Sequence, residues 1–274
     1  MVSSFSVRSL TGAFFGFMVL GSIFLGPLVF ALTMLLVQLG LMWEFIRLAG
    51  QMNANIHKPF VIMASVVLYL YMVLVSWGVL EVDLYLAAVA MPVFLLMLIS
   101  EIFRQDDPDF HSLFFTLFAL MYVTIPIAML NMLYAMGNAN LFPWELILGL
   151  FLMTWIYDTF AYIFGISFGK HKLFERVSPK KSWEGFWGGT LVTLGFAVVY
   201  SHWFESLNLW QWLLFAIIVI IFGTFGDLFE SRLKRLAGIK DSGTILPGHG
   251  GLLDRFDAIL FAAPAVWCLL VLFN

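Results

Sequence analysis

Apolar residues follow one another along this chain in blocks of about 20, separated by short polar segments, from Leu10 almost to the C-terminal residue. An α-helix rises about 1.5 Å per residue, so a block of that length crosses a hydrocarbon layer of roughly 30 Å. The blocks lie at 10–26, 27–48, 59–78, 83–103, 112–134, 143–166, 184–204, 209–229 and 256–273. They predict an all-α, polytopic integral membrane protein with about nine transmembrane helices. The first two blocks form one run, too long for a single span, and Gly26-Pro27 near its middle predicts a tight turn between two helices.

Composition sharpens this picture. Of 274 residues, 62% are hydrophobic and 11% charged, where an average soluble domain carries roughly 25% charged residues. A water-soluble core cannot absorb that excess, so the bilayer is the solvent for most side chains. The N-terminal run exceeds the apolar region of a signal peptide, and no small-x-small cleavage site follows it before the next span, so the N-terminus is expected to be mature. The single cysteine, Cys268, lies in the last span and excludes an intrachain disulfide or a cysteine metal cluster.

Charge then orients the spans. Nine crossings place the termini on opposite sides, and all 14 basic residues fall before the first span or in or flanking even-numbered loops. These are Arg8, Arg47, Lys58, Arg104, then Lys170, Lys172, Arg176, Lys180 and Lys181, then Arg232, Lys234, Arg235, Lys240 and Arg255. The opposite side carries Glu81, Asp83, Glu145 and Glu205 but no Lys or Arg. The positive-inside rule therefore predicts a cytoplasmic N-terminus, cytoplasmic even-numbered loops and an outward C-terminus. A net charge of −3 hides a basic inner face next to anionic headgroups.

Ten of the 14 basic residues sit in two loops rich in Gly, Ser and Pro. Residues 1–142, with spans one to five, read as scaffold; residues 143–274, with spans six to nine and cytoplasmic loops 167–183 and 230–255, read as the catalytic region. Asp158, in WIYDTFAY of span six, lies about 22 Å along its helix from Pro143, in the cytoplasmic third, where an acid needs a partner or a task. Gly165 to His171 only superficially suggests a phosphate loop, since three residues separate the glycines and His follows the Lys where a Walker motif needs four and Ser or Thr.

The eighth loop, Gly226 to Asp257, gathers acids, bases, glycines and a histidine beside two spans. If the helix continues past Asp227, Ser231 and Lys234 follow at i+4 and i+7, putting a carboxylate, a hydroxyl and an ammonium on one face. Glu230 and Lys234 also stand at i, i+4, the spacing of an ordinary surface ion pair. Asp254 and Asp257, three apart, can project the same way, with Arg255 between them pointing elsewhere. Asp227 and Asp254 on two helix ends beside a basic cleft have the chemistry of a divalent metal site for phosphoryl transfer: hard oxygens hold Mg2+, which holds substrate phosphates. His249 in GHGG fits a base, a phosphate contact or a packed turn residue.

The segment S-x-x-K-R-x4-K-D-S-G-x2-L-P-G-H-G-G-x2-D-R-x-D, Ser231 to Asp257, resembles the signature of the phosphatidate cytidylyltransferase (CDP-diglyceride synthase) family, and SPKKSWEG, Ser178 to Gly185, resembles a second block of it. That resemblance covers the C-terminal half by motif and the N-terminal half in character. It implies conversion of CTP and phosphatidic acid to CDP-diacylglycerol and pyrophosphate, with Mg2+ and an assisting K+, and a possible homodimer. Carried onto this sequence, it implies Asp227 and Asp254 as metal-binding acids, with Ser231, Lys234, Arg235, Lys240, Asp241, His249, Arg255 and Asp257 completing the catalytic centre. Substrate would be met by Asp158, Lys170, Ser178, Lys180, Lys181, Ser182, Glu184, Gly250 and Gly251. A phosphate monoester with a second pKa near 6 is largely dianionic at neutral pH, so His249 is expected to position rather than to act as base. The expected partners are CTP, phosphatidic acid and membrane lipids, not nucleic acid, and the expected location is a bacterial inner membrane with the site facing the cytoplasm.

Three other readings compete. CDP-alcohol phosphatidyltransferases carry a D-G-x2-A-R pattern, and no Asp-Gly pair occurs here. A secondary transporter would show repeated halves and charges near the midplane, whereas the acids here cluster at one face. A cytidylyltransferase or kinase for an isoprenoid phosphate differs only in the lipid tail or the product.

Overall fold

The structure is a computed structural model and describes residues 4–80, 92, 95, 98–99, 110–137, 144–243 and 250–273. The expected span 83–103 and His249 lie largely or wholly outside the described residues. Helices dominate: α1 Ser4–Phe24, α2 Pro27–Gln51, α3 Lys58–Ser76, then α4, which runs Phe110–Ala119, passes through a π-helical turn Leu120–Thr124 and continues as Ile125–Ala135. There follow α5 Glu145–Phe168, a hairpin of β1 Lys172–Phe174 and β2 Ser178–Ser182, then α6 Trp183–Trp203, α7 Leu209–Leu236 and α8 Leu253–Phe273. Among the described residues, six helices are long and apolar enough to cross a membrane: Pro27–Gln51, Lys58–Ser76, His111–Ala135, Glu145–Phe168, Leu209–Leu236 and Leu253–Phe273. The protein is thus an all-α, polytopic integral membrane protein.

The chain divides into two compact units, residues 1–135 with 236–253, and residues 136–235 with 254–274. This division sets its first boundary at 135/136 rather than 142/143, and it groups residues 236–253 of the eighth loop with the N-terminal unit. In that first unit, Gly26 at φ 109° separates α1 from α2, and Pro27 stands at the first turn of α2, where its missing N–H costs nothing. Polar side chains tie its helices together across an interior that offers little water. Tyr69 Oη donates to the Ala31 carbonyl at 2.6 Å, Asn131 Nδ2 donates to Tyr69 Oη at 3.0 Å, and Tyr134 Oη donates to the Ile23 carbonyl at 2.9 Å. Such bonds matter between membrane helices because lipid tails provide no hydrophobic drive for their association.

In the second unit, α5 and α6 pack through small residues. Gly185 and Gly189 stand four apart on α6, facing Ala161 and Gly165, also four apart on α5. A Cβ on Gly189 would come within 3.0 Å of Ala161 and of the Tyr157 carbonyl, so the backbones approach as closely as the small-x-x-x-small pattern permits. Helix α6 begins at Ser182, whose buried hydroxyl accepts from the Gly185 N–H at 3.2 Å, an ordinary N-cap. Tyr200 Oη donates to the Glu145 carbonyl at 2.7 Å and ties the far end of α6 to the start of α5.

Candidate functional site

Three helices of the second unit bring acids together. Asp158 from α5, Asp227 from α7 and Asp257 from α8 lie within electrostatic reach of one another, and Lys181 and Arg255 lie within reach of Asp158. Protein atoms surround Asp158 on most sides, yet its side chain is accessible, while Asp227 and Asp257 are half-buried. The carboxylates therefore line a recess rather than a sealed core. Gly226 allows the approach of α7 to α8: a Cβ there would collide with the Asp257 carbonyl oxygen. Arg255, expected to point away from its neighbours, stays close enough to Asp158 to stabilise its charge. Tyr157 and Thr224 share a hydrogen bond of 2.8 Å between α5 and α7.

The face read from the sequence as Asp227, Ser231 and Lys234 forms in part. Ser231 Oγ donates to Asp227 Oδ1 at 3.3 Å, and Lys181 Nζ, arriving from β2, pairs with Asp227 Oδ2 at 2.6 Å. Lys234 turns to different partners, meeting Glu230 Oε2 at 2.6 Å and donating to Asp254 Oδ1 at 2.5 Å. Glu230 is fully buried, so the i, i+4 pair is not an ordinary surface pair. The contact with Lys234 is an ion pair rather than an aligned hydrogen bond, because neither oxygen of Glu230 has a hydrogen-bond partner among the described residues.

The sixth loop, read from the sequence only as a cytoplasmic loop, folds into the hairpin. Lys172 lies opposite Ser182 and Phe174 opposite Ser178. Glu184, in the first turn of α6, gathers the loop before the hairpin. Its carboxylate accepts the Lys170 N–H at 3.1 Å and the His171 N–H at 3.2 Å, and it meets His171 Nδ1 at 2.6 Å. Of the residues assigned to substrate here, Ser182 is thus a helix cap and Glu184 a loop anchor. Lys170 and Lys180 are exposed, Ser178 is half-buried, and Lys181 reaches the acidic recess.

The remaining candidates are distributed between the units. Arg235 is exposed at the end of α7 in the second unit, and Lys240, Asp241, Gly250 and Gly251 belong to the first, with Lys240 and Asp241 exposed. Sequence reasoning did not single out Glu44, a fully buried acid of α2. Its Oε2 accepts from the Leu253 N–H at 2.8 Å and from the Ser242 hydroxyl at 3.3 Å. The one signal available was its place as an acid inside an apolar block. Beside Asp227 in sequence, an apolar cavity of about 370 Å³ opens in the second unit, lined by Phe174, Val177, Phe222, Phe225, Phe229 and Phe261 among others.

Comparison with known proteins adds identity to this geometry. A phosphatidate cytidylyltransferase of Staphylococcus haemolyticus is 52% identical over 126 residues, which are 46% of this chain and 48% of that protein. Proteins of the same name from Staphylococcus epidermidis and Staphylococcus aureus are 49% and 47% identical over matches of the same length. The match therefore spans about half the length of these relatives. The model of the cytidylyltransferase family matches residues 6–273, nearly the whole sequence, and the chain belongs to that family.

Proposed function

We propose that this protein is a phosphatidate cytidylyltransferase, converting CTP and phosphatidic acid to CDP-diacylglycerol and pyrophosphate in phospholipid biosynthesis. The observation that carries this reading is the recess in which Asp158, Asp227 and Asp257 converge, with Lys181 and Arg255 beside them, in a chain whose curated relatives bear that name. A phosphatidate oxygen attacks the α-phosphorus of CTP, a new phosphorus–oxygen bond forms, and the bond to the β-phosphate bridge breaks to release pyrophosphate. Lys181 and Arg255 face the charge that spreads over the phosphates, and the exposed Lys170 and Lys180 draw CTP from water. No side chain is needed as base, because phosphatidate is already largely dianionic near pH 7. The phenylalanine-lined cavity of the same unit, whose lining includes Leu228, receives acyl chain while the headgroup stays in the recess.

The donor set suits Mg2+. Hard carboxylate oxygens from three helices repel one another, and a divalent cation relieves that repulsion, although no group of three or more acids or histidines among the described residues is arranged as a finished metal cage. Asp227 and Asp254 would hold the ion once Lys181 and Lys234 yield them, and bound Mg2+ would neutralise phosphate charge. We place the recess at the cytoplasmic face of a bacterial cell membrane, because all basic loop residues fall on that side of the expected topology. K+ as an assisting ion and a homodimer complete the reading by family resemblance.

The test is pyrophosphate release from CTP by purified protein in detergent, with phosphatidic acid present or omitted and with Mg2+ or chelator. Turnover that requires both and yields CDP-diacylglycerol is expected. Turnover with an isoprenoid phosphate but not with phosphatidate would move the assignment to another lipid, and no turnover by folded protein would overturn it.

A further inference from the structure

Helix α2 carries Glu44 at a position without solvent access, in an apolar helix where a carboxylate is costly to retain unless strong donors reach it. Among the described residues, its donors come from one distant segment. Leu253 N–H and Ser242 Oγ, which donate to Glu44 Oε2, lie 209 and 198 residues further along the chain. Leu253 opens α8, so its N–H is one of the donors that a helix start leaves without an intrahelical partner. Two glycines of the same segment close on the carboxylate. A Cβ on Gly243 would collide with Glu44 Oε1, and one on Gly251 would collide with Ser242 Oγ and crowd Glu44 Oε2. Oε1 itself has no hydrogen-bond partner among the described residues.

We propose that Glu44 is a positioning residue for the signature segment, holding it at Ser242 and at Leu253 on one carboxylate. Ser242 follows Asp241 and Leu253 precedes Asp254 in the chain. The anchor therefore fixes the backbone one residue from two acids of the signature. Backbone held in this way at Ser242 and at Leu253 has lost conformational freedom before substrate arrives. The inference rests on the cytidylyltransferase reading, in which that segment belongs to the catalytic region.

The experiment compares wild type, Glu44→Gln, Glu44→Leu and Ser242→Ala in detergent. It measures kcat and KM for CTP by pyrophosphate release, and separately the rate at which trypsin cuts after Lys240. Glu44→Leu is expected to lower kcat about 100-fold, the scale of a misplacement of about 1 Å, with KM for CTP little changed and faster cutting after Lys240. Glu44→Gln keeps an acceptor and recovers most of kcat. Ser242→Ala, which removes one of the two bonds and leaves the helices intact, gives a smaller loss in the same direction and decides the matter if Glu44→Leu does not fold. Wild-type kcat in Glu44→Leu or Ser242→Ala, or an equal loss in Glu44→Gln and Glu44→Leu, overturns the inference. A wild type without turnover overturns the cytidylyltransferase reading instead, and unchanged trypsin cutting in the variants would then overturn the anchoring role on its own.

Discussion

Two lysines of the second unit each hold a carboxylate, and they differ in how far water reaches them. Lys181 meets Asp227 with side chains 25% and 35% exposed. Lys234 meets Glu230 and Asp254 with side chains 15%, 0% and 14% exposed. An exposed pair contributes about 0–1 kcal/mol, and its partners separate readily. A closed group is different, because removing one charge strands the others where water cannot solvate them. The pairing at Asp227 is therefore suited to exchange with an incoming cation or phosphate, and the triad around Lys234 is suited to holding α7 against α8 until a cation draws Asp254 from it.

The largest effect should come from breaking the closed group. Lys234→Met leaves Glu230 buried without its ammonium and is expected to destabilise the protein by about 3–5 kcal/mol, read as a lower denaturation midpoint in mixed micelles. Adding Glu230→Gln to Lys234→Met should restore part of that stability, since the stranded charge is gone. A single-mutant loss below about 1 kcal/mol, the range of exposed pairs, would show that both lysines sit in equivalent surroundings and would dissolve the distinction.

Opening the other site should act on rate instead. Asp227→Asn is expected to cost about 10²–10³-fold in kcat, the magnitude seen when one group that stabilises transition-state charge is removed. Its denaturation midpoint should stay level or rise, because Asp227 lies within reach of the like charges on Asp158 and Asp257. Turnover within a few-fold of wild type at saturating Mg2+ would remove Asp227 from the site.

The same contrast explains what the sequence could disclose. Long apolar blocks made the helices readable, and Gly26-Pro27 marked the break between α1 and α2 because glycine takes positive φ and proline tolerates a first turn. The signature placed Ser231, Asp254 and Asp257 near helix ends, where the structure has them, whereas Asp227, expected to end its span, lies nine residues before the end of α7 at Leu236. Burial was not readable: i, i+4 spacing is identical for a surface pair and for Glu230–Lys234, and only tertiary packing separates them. Neither was the hairpin, whose strands of three and five residues, rich in Lys and Ser, carry no alternation of apolar side chains. The partners of Glu44 were not readable because they lie about 200 residues away, a separation no local pattern can span.

The smallest effect on stability, and the finest test of the comparison, lies at Lys181. Lys181→Met removes the partner of Asp227 from a pair that water already screens, so the denaturation midpoint should move by less than about 0.5 kcal/mol. The loss should fall on substrate capture, as a higher KM for CTP with a smaller change in kcat. Because Lys181 would act on phosphate through a field that salt screens, the wild-type KM should climb with added choline chloride, a salt that leaves K+ unchanged. The screening length falls from about 10 Å at 0.1 M to about 3 Å at 1 M. In Lys181→Met the same salt series should raise KM less steeply, since one of the screened charges is absent. If Lys181→Met instead unfolds the protein as Lys234→Met is expected to, the Asp227 pair is a structural clasp, and the exchange assigned to it must belong to Asp158 and Asp257.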